Sequence, residues 1–263
     1  MRPSLRSIRA DLHVHTALSP CGSDEMTPPA IVAAALAKGL DMIAVCDHNT
    51  ASNVGATQEA ARAAGGRLAV LAGMEITSVE EVHVLGLFPD LAAAEEVAAK
   101  IRAHLPAADP DYYAFFGEQP VLAADGRPTG AETACLALAT PLDLTESVEL
   151  VHSVGGLAIA AHVDRKSFSV FSQLGFFPRD AGFDGVEVSS HLRPDSPRLE
   201  EFKNLGLPMT SSSDSHFLEE IGTAATELWV QDATFFELAL ALAGSEGRRI
   251  DGGGTAGGSA TGA

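Results

Sequence analysis

The sequence predicts an α/β fold, either a barrel or an open parallel sheet, and two observations predict it. Short apolar, β-like runs alternate with helix-like ones along most of the chain, and those runs are hydrophobic enough to be strands buried on both faces. Several of them end in His, Asp or Glu, the residues that build sites at one rim of such sheets.

The elements follow in order. Residues 8–14 read as a first strand, Pro28-Pro29 opens an apolar helix ending at Gly39, and Asp41-Met-Ile-Ala-Val-Cys46 is a second strand, which completes a βαβ unit. The rhythm continues with a helix over 53–64, strands over 68–76 and 81–88, and an Ala/Glu/Lys-rich helix over 91–105. Later come a helix at 144–153, strands at 157–161 and 185–188, a helix at 197–205, strands at 208–211 and 227–230, and a last helix at 234–243.

Two segments leave this pattern. Residues 106–141 are rich in Pro, Gly and Asp, hold Tyr112, Tyr113, Phe115 and Phe116, and carry an Asp125-Gly126 hairpin signal, so they read as an insertion whose aromatics pack on the scaffold. The end, DGGGTAGGSATGA, cannot bury a core and reads as a flexible tail. The expected organisation is one α/β unit over 1–250, with the insertion at about 106–141, and a Gly-rich tail over 251–263.

Composition narrows the function. At 263 residues and 46% hydrophobic, the chain has ample material for one core. Acidic residues outnumber basic ones 35 to 17, a formal charge of −18 that opposes long nucleic acid and anionic membranes. A small phosphorylated substrate would have to be attracted locally. Cys21, Cys46 and Cys135 are widely spaced with no CxxC, and neither an export signal nor a membrane span is visible, so a cytoplasmic location is expected.

The histidines carry the chemistry. Asp11-Leu-His13-Val-His15 ends the first strand, and alternation sends both imidazoles to one side, where they can share a metal. Asp47-His48 ends the second strand, Glu75 the third, Glu81-Val-His83 marks the fourth, and His162 and Asp214-Ser-His216 close later ones. Asp11 and Asp47 read as carboxylates orienting ligand imidazoles. Arg165, three residues past His162, is the best placed cation for a phosphate, and His191 a candidate general acid. His104 and His152 read as surface residues of helices, and Ser211-Ser-Ser213 lacks the elbow of a nucleophilic serine.

The ordered set His13/His15, Asp47-His48, Glu75, His83, His162 and Asp214-x-His216 resembles the polymerase and histidinol phosphatase (PHP) family of metal-dependent phosphoesterases, over residues 8–230. The resemblance implies a distorted (β/α)7 TIM-like barrel with an inserted segment, and two or three divalent ions at its C-terminal rim. His13, His15, Glu75 and Asp214 would hold one ion, Glu75 with His83 and His162 a second, and His48 with His216 a third. The sequence departs from the family pattern between Ser19 and Thr27, where Asp24 or Glu25 is expected to supply the missing ligand, with Glu25 chosen and Cys21 ranked below both. Imidazole and carboxylate suit Zn²⁺, Mn²⁺ or Fe²⁺.

The expected activity is hydrolysis of a small phosphomonoester or nucleotide by a metal-activated hydroxide. The alternatives are a nuclease trimming short oligonucleotides, a metal-dependent amidohydrolase, and a metal-binding module without catalysis.

Overall fold

Strand β1 (Arg6–Val14) leads to helix α1 (Pro28–Ala37), whose first two residues are prolines with φ already set for a helix. Gly39, at φ 70°, turns the chain out of α1 into β2 (Met42–Val45), which pairs parallel with β1. Helix α2 (Val54–Ala63) then returns it to β3 (Ala69–Thr77), parallel to β2. The computed structural model describes residues 4–193 and 195–251.

After β3 the direction reverses. Ser78 to Val82 form a tight turn, closed by Ser78 N–H and Val82 C=O, and β4 (His83–Phe88) runs antiparallel to β3. Helix α3 (Leu91–Arg102) follows, its first turn capped by the Asp90 carboxylate, which accepts the Ala93 N–H at 2.9 Å. Segment 106–141 contains a helix the sequence pattern did not reveal, α4 (Pro110–Phe116), and a hairpin of β5 (Pro120–Leu122) and β6 (Pro128–Ala131) that turns at Asp125-Gly126.

The second half restores the parallel rhythm. Helix α5 (Leu144–His152) starts with a capping box of Asp143 and Glu146 and precedes β7 (Leu157–Ala160). A short helix, α6 (Val170–Leu174), leads to β8 (Gly185–Ser189), then α7 (Pro197–Lys203), β9 (Met209–Ser212), β10 (Thr226–Val230) and α8 (Phe235–Leu242). A last strand, β11 (Arg249–Asp251), pairs with β10, so Asp251 belongs to the sheet and not to a tail; residues 252–263 lie outside the described residues.

The nine-stranded sheet has the order β11-β10-β1-β2-β3-β4-β7-β8-β9. Its ends approach each other, because Ser215, just past β9, bridges Val14 at the end of β1. The sheet is therefore a nearly closed, barrel-like α/β structure, distorted by the reversed β4. The two hidden helices and β11 were missed because each is at most seven residues long, too short for a clear period.

One apolar cluster joins Ala44 of β2 and Cys46 just after it, Leu71 of β3, Leu85 and Leu87 of β4 and Ile159 of β7 with Phe235 and Leu238 of α8. Alternation puts Leu71 on the same strand face as Glu75, and Leu85 on that of His83, so this cluster is the floor beneath the polar rim. Gly73 lies between them. A Cβ there would meet Cys46 Sγ at 2.5 Å and Val45 O at 2.9 Å, so only glycine lets β3 lie this close to β2.

Candidate metal centre

The ends of the strands are laced to one another by backbone hydrogen bonds. His15 N–H donates to Ser215 O at 3.0 Å, Glu75 N–H to Asp47 O at 3.1 Å, Asn49 N–H to Glu75 O at 2.9 Å, and Val163 N–H to Glu187 O at 2.8 Å. This lacing fixes His13, His15, His48, Glu75, His83, His162, Asp214 and His216 on one rim. His83 reaches it from the start of its strand, because β4 runs backward. His162 and Asp214 sit at φ 28° and 50°, a region non-glycine residues seldom occupy, which marks backbone held in place by its surroundings.

Glu75 is the hub. Its Oε1 lies 2.7 Å from His83 Nδ1, 3.1 Å from His162 Nε2 and 3.4 Å from His13 Nε2; its Oε2 lies 3.2 Å from His48 Nδ1 and 3.3 Å from His15 Nε2. Asp214 Oδ1 completes the first set, 3.3 Å from His13 Nε2 and 3.1 Å from His15 Nε2. Those two ring nitrogens face each other at 3.2 Å. Donor atoms bonded at 2.0–2.1 Å to a tetrahedral zinc-like ion are separated by about 3.3 Å, so the spacing matches a shared cation.

The electrostatics agree with that fit. Burial opposes ionisation of Glu75 and Asp214, yet the surrounding imidazoles, His83 and His13 foremost, hold both carboxyls well below the usual range. Burial likewise opposes a charge on His15, but Asp214 and Glu75 outweigh it and lift the ring to about 9; His216, chiefly by burial, falls to about 4. The two carboxylates thus make a negative field that draws positive charge to the ring nitrogens beside them, a proton on His15 or, in its place, a divalent ion.

The outer partners differ from those expected. Asp47 touches no imidazole: it accepts Thr16 N–H, the Thr16 hydroxyl and the Ser19 hydroxyl at 2.6–2.8 Å, and Ser19 Oγ in turn lies 2.9 Å from His15 Nδ1. Asp11 holds the Asp214 loop instead, accepting from Ser213 N–H, the Ser213 hydroxyl and Gly222 N–H. The direct partner of His13 is Glu187, fully buried in β8, with Oε1 3.1 Å from His13 Nδ1. Sequence reasoning passed over it, although a charged residue inside the apolar run Gly-Val-Glu-Val was a signal.

The segment between Ser19 and Thr27 is corrected as well. Glu25 is exposed and joins none of the three groups of converging donors among the described residues; nor does Asp24. Cys21 does, with His15, His48 and His216, all four donor atoms lying within 4.8 Å of one another. The loop is tied to both histidine-bearing ends: Ser23 N–H donates to His216 O at 2.9 Å, and His48 N–H to Ser19 Oγ at 3.3 Å. Asp24 and Glu25 follow that anchor and are exposed. The converging group there accordingly contains a thiol, where the sequence led to imidazole and carboxylate alone.

Above the rim opens a cavity of about 410 Å³, lined by His48, His83, Arg165, Asp214 and the rings of Phe116 and Phe168. Arg165 is about a third exposed and pairs with Asp214 Oδ2 at 2.6 Å. His191 does not line it; it is exposed, lines a neighbouring cavity and, among the described residues, joins none of the groups of converging donors. The aromatic cluster of α4 divides, with Tyr112 buried and bonded to Gln119, Phe116 on the cavity wall, and Phe115 82% exposed.

Comparison with known proteins places this geometry. The model of the PHP domain matches residues 11–165, and that of a PHP-associated region matches 199–243. The uncharacterized protein YqxK of Bacillus subtilis is 34% identical over 117 residues, 42% of this chain and 29% of that protein. A 5'-3' exoribonuclease of Haemophilus influenzae is 26% identical over 190 residues, 58% of this chain and 68% of that one. The lesion-specific endonuclease Q of Pyrococcus furiosus superposes with a TM-score of 0.64 at 22% identity, over 93% of this chain and 58% of that one. An endonuclease Q complex with a 27-mer duplex carrying an abasic lesion superposes at 0.65 with 21% identity, at the same coverage. The chain thus spans less than two thirds of YqxK and of endonuclease Q, and a protein of this fold holds a nucleic-acid duplex, which weakens the argument from net charge against long nucleic acid.

Proposed function

This chain belongs to the PHP domain family, and from that premise we propose that it is a metal-dependent phosphoesterase acting on small phosphate esters. The observation that carries the reading is the one carboxylate of Glu75 within 3.4 Å of five imidazoles, Oε1 facing His13, His83 and His162 and Oε2 facing His15 and His48. A carboxylate reached by so many rings would serve as a ligand to more than one ion.

We assign His13, His15, Glu75 and Asp214 to one ion, Glu75, His83 and His162 to a second, and Cys21, His48 and His216 to a third. The thiol suits Zn²⁺ or Fe²⁺ better than Mn²⁺ at the third position. Bound divalent ions supply Lewis acidity at phosphoryl oxygens and acidify water. The chain's own groups do the rest. Glu187 and Ser19 set the ring orientations of His13 and His15, and Arg165, anchored on Asp214, offers its remaining N–H groups to a phosphoryl oxygen. Phe116 and Phe168 form an apolar wall that limits access of water.

Assay of the metal-loaded protein on p-nitrophenyl phosphate, an amide and a lactone tests the reading. Phosphate release alone supports it; amide or lactone turnover alone moves the protein to the amidohydrolases, and metal uptake with no turnover to the non-catalytic modules.

The similarity to a 5'-3' exoribonuclease, with Phe116 and Phe168 lining the cavity, favours a second reading, trimming of short oligonucleotides. A kcat/KM that rises from mononucleotide through trimer to 30-mer at fixed salt selects it.

A further inference from the structure

Next to the metal cavity lies a second one, of about 610 Å³, and Arg165 and Ser167 line both. The chain has 17 lysines and arginines in 263 residues, yet Arg165, Lys166, Arg193 and Arg198 all line this second cavity. In a protein of charge −18 such a concentration of cations is local and unlike the rest of the surface.

The charges there are not all consumed. Arg165 pairs with Asp214, and Arg193 with Asp195. Asp164 also lines the cavity, but its two oxygens are engaged by Ser189, accepting its N–H at 2.7 Å and its hydroxyl at 2.6 Å. Among the described residues, Lys166 has no carboxylate partner within 4.0 Å, and neither has Arg198. Arg198 is held without one: its Nη1 donates to the Asp164 carbonyl at 2.7 Å, and the guanidinium lies 5.0 Å from the Phe202 ring centroid. A guanidinium fixed this way, with donors to spare, is preorganised for an oxyanion.

We propose that this cavity is a second phosphate subsite, in which Lys166 and Arg198 hold a phosphate of the same substrate whose scissile ester lies over the metal cavity. The proposal rests on the phosphoesterase reading and narrows its substrate class to esters with a second phosphate. Arg165, shared by both cavities, stands between the two phosphates. The same chemistry is offered by a bisphosphorylated metabolite and by the neighbouring phosphate of a short nucleic acid.

The test compares the metal-loaded wild type with Lys166→Met/Arg198→Met on a nucleoside monophosphate, the matching bisphosphate and a 5'-phosphorylated dinucleotide. Calorimetric binding of the bisphosphate reads the subsite without turnover, phosphate release from the monophosphate reads the reaction, and thermal melting confirms folding. The expected result is a preference of tenfold or more for a second phosphate in the wild type, reduced about tenfold in the variant, with bisphosphate affinity lowered in parallel. The better of the bisphosphate and dinucleotide arms identifies the source. Monophosphate turnover with no such preference, or a preference that survives in the variant, overturns the subsite and leaves the phosphoesterase reading standing. Bisphosphate affinity lost in the variant, with no phosphate ester hydrolysed in any arm, supports the subsite and overturns that reading.

Discussion

Glu187 Oε1 lies 3.1 Å from Nδ1 of His13 and also accepts the backbone N–H of His162 at 3.2 Å. One buried carboxylate on β8 thus orients a ring on β1 and fixes the start of the loop after β7. A proton on Nδ1 of His13 leaves Nε2 as a lone pair aimed at Glu75 and Asp214. Glu187→Gln keeps the shape and removes the charge, so metal affinity is expected to fall roughly 10–100-fold, read by chelator competition, while the metal-free melting temperature stays close to wild type. Unaltered metal affinity would show that the contact does not position His13.

Glu75→Gln is expected to be more damaging, because both donor groups around that carboxylate lose their shared charge. Elemental analysis should give less than one ion in these two positions per chain, with activity reduced beyond the roughly 100-fold associated with an outer partner. Retention of two ions would refute a bridging role.

Cys21→Ser and Glu25→Ala separate the two candidates for the third position. The first should lower metal content by one ion, and in the wild type bound metal should protect Cys21 from alkylation. Glu25→Ala should leave metal content as in the wild type. The opposite pattern would restore Glu25 as the ligand.

Arg165→Ala should lower kcat/KM by about 10–100-fold, mainly through KM, with the metal retained, because a charge-assisted pair to phosphate contributes about 1.5–3 kcal/mol. Loss of metal from the variant would instead make Arg165 a support for Asp214.

Gly73→Ala tests the floor of the site. A Cβ 2.5 Å from Cys46 Sγ must push β2 and β3 apart, at a cost of about 1–3 kcal/mol, visible as a lower melting temperature. A melting temperature equal to wild type would show that the strands can separate freely.

Much of this was legible in the chain because strand alternation is local: an apolar run ending in His-x-His, or in Glu75, declares which way its side chains point. Cys21, Glu187 and the direction of β4 depend on where distant segments meet. The reversal had a local sign all the same. Only the short turn Ser78 to Val82 separates β3 from β4, and a parallel connection needs a dozen residues or more. Asp11 and Asp47 were read as direct partners of imidazoles, but the Ser19 hydroxyl stands between Asp47 and His15, and Asp11 holds Ser213 and Gly222 on either side of the Asp214 loop.

The reversed β4 gives the centre a sensitivity to register slippage. His83 pairs with Thr77 in the last rung of the β3·β4 ladder, next to the turn. A slip of one residue would replace its imidazole with the isopropyl group of Val82 or Val84 and send the ring to the opposite face. Metal uptake therefore proofreads the hairpin: chains paired out of step lack a donor, and the binding free energy goes only to those paired in step.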